Sequence, residues 1–127
     1  MTGKRDTFEA RIADIQPSQL FLNDEKLKAV QRQAGEGREL DPVPVMWHEG
    51  RLVALDGHHR LYIHFVRGDE SIAVYLDKEC INTETYAVAV KWCRDEGITS
   101  IKDLSTRIID RDSYKVVWIE KCQRELP

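Results

Sequence analysis

One stretch constrains this chain more than any other: Leu52-Val53-Ala54-Leu55-Asp56-Gly57-His58-His59-Arg60-Leu61-Tyr62-Ile63-His64-Phe65-Val66-Arg67-Gly68. Leu52 to Leu55 form an apolar run of the length a buried strand needs, and Gly57 supplies a tight or left-handed corner. Leu61 with Phe65, and Tyr62 with Val66, then recur at helical spacing, while Gly68 suits the residue just past a helix end. Asp56, His58, His59 and Arg60 therefore fall where a strand gives way to a helix. Unpaired backbone N–H groups and the positive end of the helix dipole make such a junction a ready anion site. A phosphate-sized ligand follows.

Each polar residue of the corner has a chemical reading and a plainer one. Asp56 suits a magnesium ion, or a metal carried by a phosphate, because carboxylates suit hard cations; it equally suits a turn held by local backbone hydrogen bonds. Gly57 is demanded by the geometry under either reading. Arg60 offers a planar fork that grips phosphate bidentately, against a surface ion pair as the alternative. His58 and His59 can donate to phosphate or move a proton, or one of them can cap the helix or pack beneath it. His48, His58, His59 and His64 share one short window, yet His59 to His64 and His58 to His64 are spaced wrongly for a helical zinc chelate.

The rest of the chain reads in order. Met1 to Thr7 is polar and expected to fray. Phe8 to Ile15 suits a strand, and Pro17 to Leu20 a helical turn with proline in first-turn position. Asn23 is placed to cap a helix carrying Leu27, Val30 and Ala34 on one face and ending at Gly35. Glu36 to Asp41 is a charged loop. Val43 to Trp47 is strand-like, with Pro44 pushing it toward a sheet edge or a strand start. His48 to Arg51 turns the chain into the central strand, and Ile72, Val74 and Leu76 alternate as a further strand. From Glu84 onward everything reads as helix: one carrying Tyr86, Ala89, Val90 and Cys93 and ending at Gly97, a short one at Ile101 to Ser105, and a last one capped by Asp110 or Asp112 with Tyr114, Val117, Trp118 and Cys122 together.

The expected architecture is an α+β fold with a small mixed sheet flanked by helices. Residues 8–80 would form the sheet domain and residues 81–127 a helical extension packed on it. At 127 residues, 42% hydrophobic and 32% charged, the composition is that of an ordinary globular domain. The net charge of −3 lacks the basic footprint of a nucleic-acid binder. No run has membrane-span length and no signal-peptide core is visible, and the three separated cysteines, Cys80, Cys93 and Cys122, favour reduced thiols in a cytoplasm. Cys93 and Cys122 read as core residues, leaving Cys80 as the one candidate reactive thiol. Trp47, Trp92 and Trp118 read as packing residues.

The Val43-Pro44-Val45 segment, the hairpin after it, the hydrophobic run into Asp56-Gly57-His58-His59-Arg60 and the helix closed by Gly68 together resemble the ParB/sulfiredoxin superfamily. The likeness covers about Arg11 to Leu76. It implies a sulfiredoxin-like fold and nucleotide phosphates (ATP, ADP or CTP) held at the helix N-terminus by Gly57, His58, His59 and Arg60. It also singles out His59, which matches the superfamily's His-Arg pair, as a catalytic candidate beside Asp56. Sulfiredoxins carry a catalytic cysteine where this chain has His58, so peroxiredoxin repair is not implied.

Three function classes follow. The free-serine kinases of the superfamily use an Asp-Gly-x-His-Arg corner with a carboxylate base near the N-terminus, where this chain offers Asp24 and Glu25. That likeness implies phosphotransfer to a small hydroxyl-bearing acceptor, with magnesium. The plainer role of Asp24 and Glu25 is to complement the helix dipole. The second class is a DNA-associated ParB-like regulator or nuclease. It is disfavoured because eight Lys and Arg are balanced by eight Asp and Glu from Glu84 onward. The third is a non-catalytic nucleotide-binding module.

Overall fold

The computed structural model describes residues 6–80 and 82–127. Residues 1–5 of the expected frayed start, and Ile81 at the expected boundary with the tail, lie outside them. The elements are β1 (Phe8–Arg11), β2 (Ile15–Gln16), β3 (Leu22–Asn23), α1 (Asp24–Gly35), β4 (Val43–His48), β5 (Arg51–Ala54), α2 (His58–Val66), β6 (Ser71–Leu76), α3 (Thr83–Asp95) and β7 (Ile108–Ile109). A last helical stretch runs through α4 (Arg111–Tyr114), a π-helical turn (Lys115–Ile119) and α5 (Glu120–Glu125). The class is α+β: a five-stranded mixed sheet in the order β1-β6-β4-β5-β2, a two-stranded sheet pairing β3 with β7, and helices.

The strand expected over Phe8 to Ile15 is broken by a 3-10 turn at Ile12–Asp14. The reason is topological: β1 pairs antiparallel with β6 at one edge of the sheet, and β2 pairs parallel with β5 at the other. The turn carries the chain between those edges and is held from both sides. Ile12 donates its N–H to the Glu70 carbonyl (2.9 Å). The Arg51 guanidinium donates to the carbonyls of Ala13 and Asp14 and to Oε1 of Gln16.

β4 runs through the middle of the sheet, between β6 and β5, so Pro44 does not mark an edge. It occupies the strand's second position, where its carbonyl accepts from the Leu55 amide (3.0 Å). Glu49 and Gly50, with φ of 51° and 78°, form the two-residue hairpin that returns the chain into β5.

The helices follow their caps. Asn23 accepts from the amides of Glu25 (3.0 Å) and Lys26 (3.4 Å) and starts α1. Leu27 is buried, and Val30 and Ala34 pack beside it, on the expected face. Gly35 is the last helical residue; the left-handed position beyond it belongs to Gly37, with φ of 76°. Asp110, not Asp112, caps the last helical stretch, accepting from the Ser113 amide at 2.8 Å. The π turn inserts a register shift, so Tyr114 and Trp118 are buried while Val117 is exposed, against the expected shared face.

Three further expectations are corrected. Pro17 to Leu20 is not helical, because its polar groups are committed elsewhere: the Ser18 amide donates to His58 and its hydroxyl to the Ala54 carbonyl. The tail is not wholly helical, since β7 pairs in parallel with β3. Trp47 is 60% exposed, whereas Trp118 is buried and Trp92 packs edge-on against it. Strand β4 is buried through Met46; Trp47 shares the face of the buried Val43 and Val45 but lies next to the hairpin end of the strand, where it is left to solvent.

One core joins both parts of the chain. Ile15, Leu22 and Leu61 are fully buried together with Ile98, Ile101 and Leu104 from beyond α3, and Tyr114 and Trp118 extend the same cluster. A smaller cluster of Met46, Val53, Leu55 and Val90 lies beside it, with Tyr86 and Cys80 packed against it.

Candidate functional site

The corner after β5 is built as its residue types require. Gly57 caps α2 with φ of 76°, a left-handed conformation that a β-carbon penalises. No side chain caps the helix. The amides of His58, His59 and Arg60 donate no hydrogen bond among the described residues; the first intrahelical bond runs from the Leu61 amide to the Gly57 carbonyl (2.9 Å). Three donors thus remain at the positive end of α2. Asp56 is exposed beside them, and its Oδ1 accepts from the Gly57 amide (2.7 Å).

Arg60 folds back over this corner. A β-carbon on Gly57 would overlap Nη2 of Arg60 and lie 3.0 Å from its Nε. Glycine here therefore meets two needs at once, a positive φ and room for the guanidinium. Nε of Arg60 is buried with no hydrogen-bond partner, and Nη1 lies 3.8 Å from Oδ2 of Asp41. An unpaired buried donor is costly unless something accepts from it.

A cavity of about 450 Å³ opens at this point between α1 and the loop before β4. Asp56, Gly57, His59 and Arg60 form its α2 side. Lys26, Val30 and Gln33 of α1, with Arg38, Glu39 and Asp41 of the following loop, complete it. Lys26 makes no side-chain hydrogen bond or ion pair among the described residues, while Arg38 pairs with Glu36 at 3.1 Å. Lys26, Arg38 and Asp41 were not singled out by the sequence. A partial signal existed, since a lysine in the first turn of a capped helix runs against the dipole preference.

The two histidines take different positions. His58 is 2% exposed and does not line the cavity; its Nε2 accepts from the Ser18 amide (2.9 Å), and its Nδ1 is buried without a partner. The resemblance placed His58 among the phosphate ligands, but the geometry uses it to pin α2 to the segment leaving β2. His59 lines the cavity and accepts at Nε2 from the Asn23 amide (3.0 Å). That bond fixes the neutral tautomer with its proton on Nδ1. Burial pushes the His58 pKa down to about 3 and that of His59 down to about 4, with the neighbouring charge of His59 and of Lys26, respectively, adding to the effect. Both rings are neutral at pH 7. His59 serves there as a hydrogen-bond donor rather than a cation.

Asp24 and Glu25 stand at the start of α1, outside the cavity lining. Glu25 pairs with Arg111 at 3.6 Å, and Asp24 is half-buried. The carboxylates that do line the cavity are Glu39, Asp41 and Asp56. No group of three or more His, Cys, Asp or Glu side chains able to hold a metal is found among the described residues. A magnesium ion would therefore rest on one or two carboxylates plus phosphate oxygens, a pattern that suits it.

Two of the three thiols are held in the protonated form by burial. Cys93 is fully buried, with its pKa pushed up by burial to about 12, and burial also raises that of Cys122. No helix among the described residues is long and apolar enough to cross a membrane.

No protein-family model matches the chain, and no curated protein matches it. The fold is similar to that of a solved structure described as protein Atu1540 from Agrobacterium tumefaciens, with a TM-score of 0.51 at 14% identity. The alignment covers 83% of this chain and 62% of that one, so this chain spans about six-tenths of the other's length.

Proposed function

We propose that this protein binds a nucleotide through its phosphates at the Asp56 to Arg60 corner. One observation carries the reading: the acceptor-free α2 amides of His59 and Arg60 and the buried, unpartnered Nε of Arg60 belong to residues that line one cavity with Lys26 and Arg38. Backbone donors, a helix dipole and a planar guanidinium suit a phosphoryl group. Lys26 extends the donor set from the α1 wall, and His59 adds to it from the α2 side.

Phosphotransfer to a hydroxyl-bearing acceptor is the reaction class to which this reading extends. Such a step needs a carboxylate within hydrogen-bond reach of the acceptor. That carboxylate would come from the cavity lining, which includes Glu39 and Asp41 beside Asp56 but neither Asp24 nor Glu25. Magnesium would supply charge neutralisation of the phosphates, with Asp56 as its protein ligand.

The test is calorimetric titration of the parent and of Arg60→Ala with ADP, ATP and CTP, with and without magnesium. Losing a charge-assisted phosphate contact costs about 1.5–3 kcal/mol, so affinity should fall roughly ten- to a hundredfold. Absence of binding by every nucleotide, or an unchanged affinity in Arg60→Ala, would overturn the assignment.

A further inference from the structure

Residues 36–42 connect α1 to β4 and bring carboxylates to the cavity that Arg60 lines. Oδ2 of Asp41 lies 3.8 Å from Nη1 of Arg60, with the Asp41 side chain 87% exposed and that of Arg60 only 23%. The loop thus reaches from solvent toward an arginine that is already in place over Gly57. Glu39 lines the same cavity and has no ion pair among the described residues.

From this contact we infer that Asp41 is an internal competitor for the anion site: its carboxylate faces the guanidinium that an incoming phosphate needs, and phosphate binding displaces that carboxylate from Arg60. The inference rests on the phosphate reading above and adds to it a regulatory contact. Carboxylate and phosphate present similar oxygen pairs to the arginine fork, so one can replace the other. The separation is longer than a hydrogen bond, and Arg60 keeps a buried N–H without an acceptor. Asp41 therefore satisfies Arg60 only in part, and a phosphate that also reaches the α2 amides outcompetes it. Exposed ion pairs are weak, so the contact tunes affinity rather than gating it on and off.

The experiment compares the parent, Asp41→Asn and Glu39→Gln by ADP titration at low ionic strength, together with amide exchange of residues 36–42 without ADP. Asp41→Asn should bind ADP about two- to fivefold tighter, from the strength of an exposed ion pair. Its loop amides should exchange faster than the parent's. Glu39→Gln, which removes a charge from the same cavity but no contact with Arg60, should gain less. ADP affinity in Asp41→Asn that is unchanged or weaker, an equal gain in Glu39→Gln, or unaltered loop exchange overturns the latch while leaving the phosphate site standing. Absence of ADP binding in the parent removes the phosphate reading and the latch with it.

Discussion

Gly57 concentrates the demands of the site in one position. Its left-handed φ costs an L-residue about 1–2 kcal/mol, and a β-carbon would also expel the Arg60 guanidinium. Gly57→Ala should therefore lower the thermal midpoint and weaken ADP binding together. Gly37→Ala is the informative comparison, because its φ of 76° is the same but nothing lies within 4 Å of the added carbon. It should lose comparable stability and keep its affinity. Equal losses of binding in the two variants would show that Arg60 placement is not what glycine protects. At this scale the sequence was legible for Asp56, Gly57 and Arg60, whose types are dictated by a strand-to-helix corner. It was not legible for His58, whose ring turns inward to accept from Ser18, forty residues away in sequence. Helical spacing puts His58 on the stripe of Leu61 and Phe65, but which distant group its ring accepts from is a tertiary matter that no local pattern records. The charged loop from Glu36 to Asp41 was legible as a segment near a site, but Lys26, Arg38 and Asp41 were not legible individually, because spacing says nothing of which side chains face the cavity.

At the scale of elements, local chemistry decides the ends and long-range pairing decides the breaks. Asn23 caps α1 through its side chain, while its own amide donates to His59, so one residue ties the starts of α1 and α2 together. Asn23→Ala should destabilise the fold by about 1 kcal/mol in urea unfolding, and Asn23→Asp should not. An alanine variant as stable as the parent would show the cap to be dispensable. The cap at Asn23, the turn at Glu49-Gly50 and the stops at Gly68 and Gly97 were readable, because each is a short-range requirement, while the last cap was read only as Asp110 or Asp112. The 3-10 turn at Ile12–Asp14, the β3–β7 pair and the π turn were not. Each answers to a partner far along the chain, Glu70, Ile108 or the packing of Trp118.

For the molecule as a whole, stability should depend on pH through the two buried histidines. Both have pKa values held below the ordinary value of 6.5, so the unfolded chain binds protons that the folded one refuses. Their contribution is complete above pH 7 and is lost as pH falls below 6.5, levelling off near the folded values of about 4 and about 3. The slope reaches about 1.4 kcal/mol per pH unit for each fully excluded ring, and less for His59, which borders the cavity. Urea midpoints measured at pH 7.5, 6.0 and 5.0 should decline steadily; a flat series would mean the rings accept protons without unfolding. The tail is equally integral. Trp118→Ala should cost about 3–5 kcal/mol and lower a single cooperative transition, rather than melting the tail alone, because Trp118 shares its cluster with Ile15 and Leu61.

The parallel pairing of Leu22 with Ile108 and Asn23 with Ile109 also has a consequence in time. Asn23 helps hold His59, yet its strand has no partner until residues 108 and 109 have been made. During synthesis, then, the hydrophobic strands can associate early, while the β3–β7 pair must wait for residues 108 and 109 to leave the ribosome. A nascent chain stalled short of residue 108 would lack the strand partner that steadies Asn23 against His59.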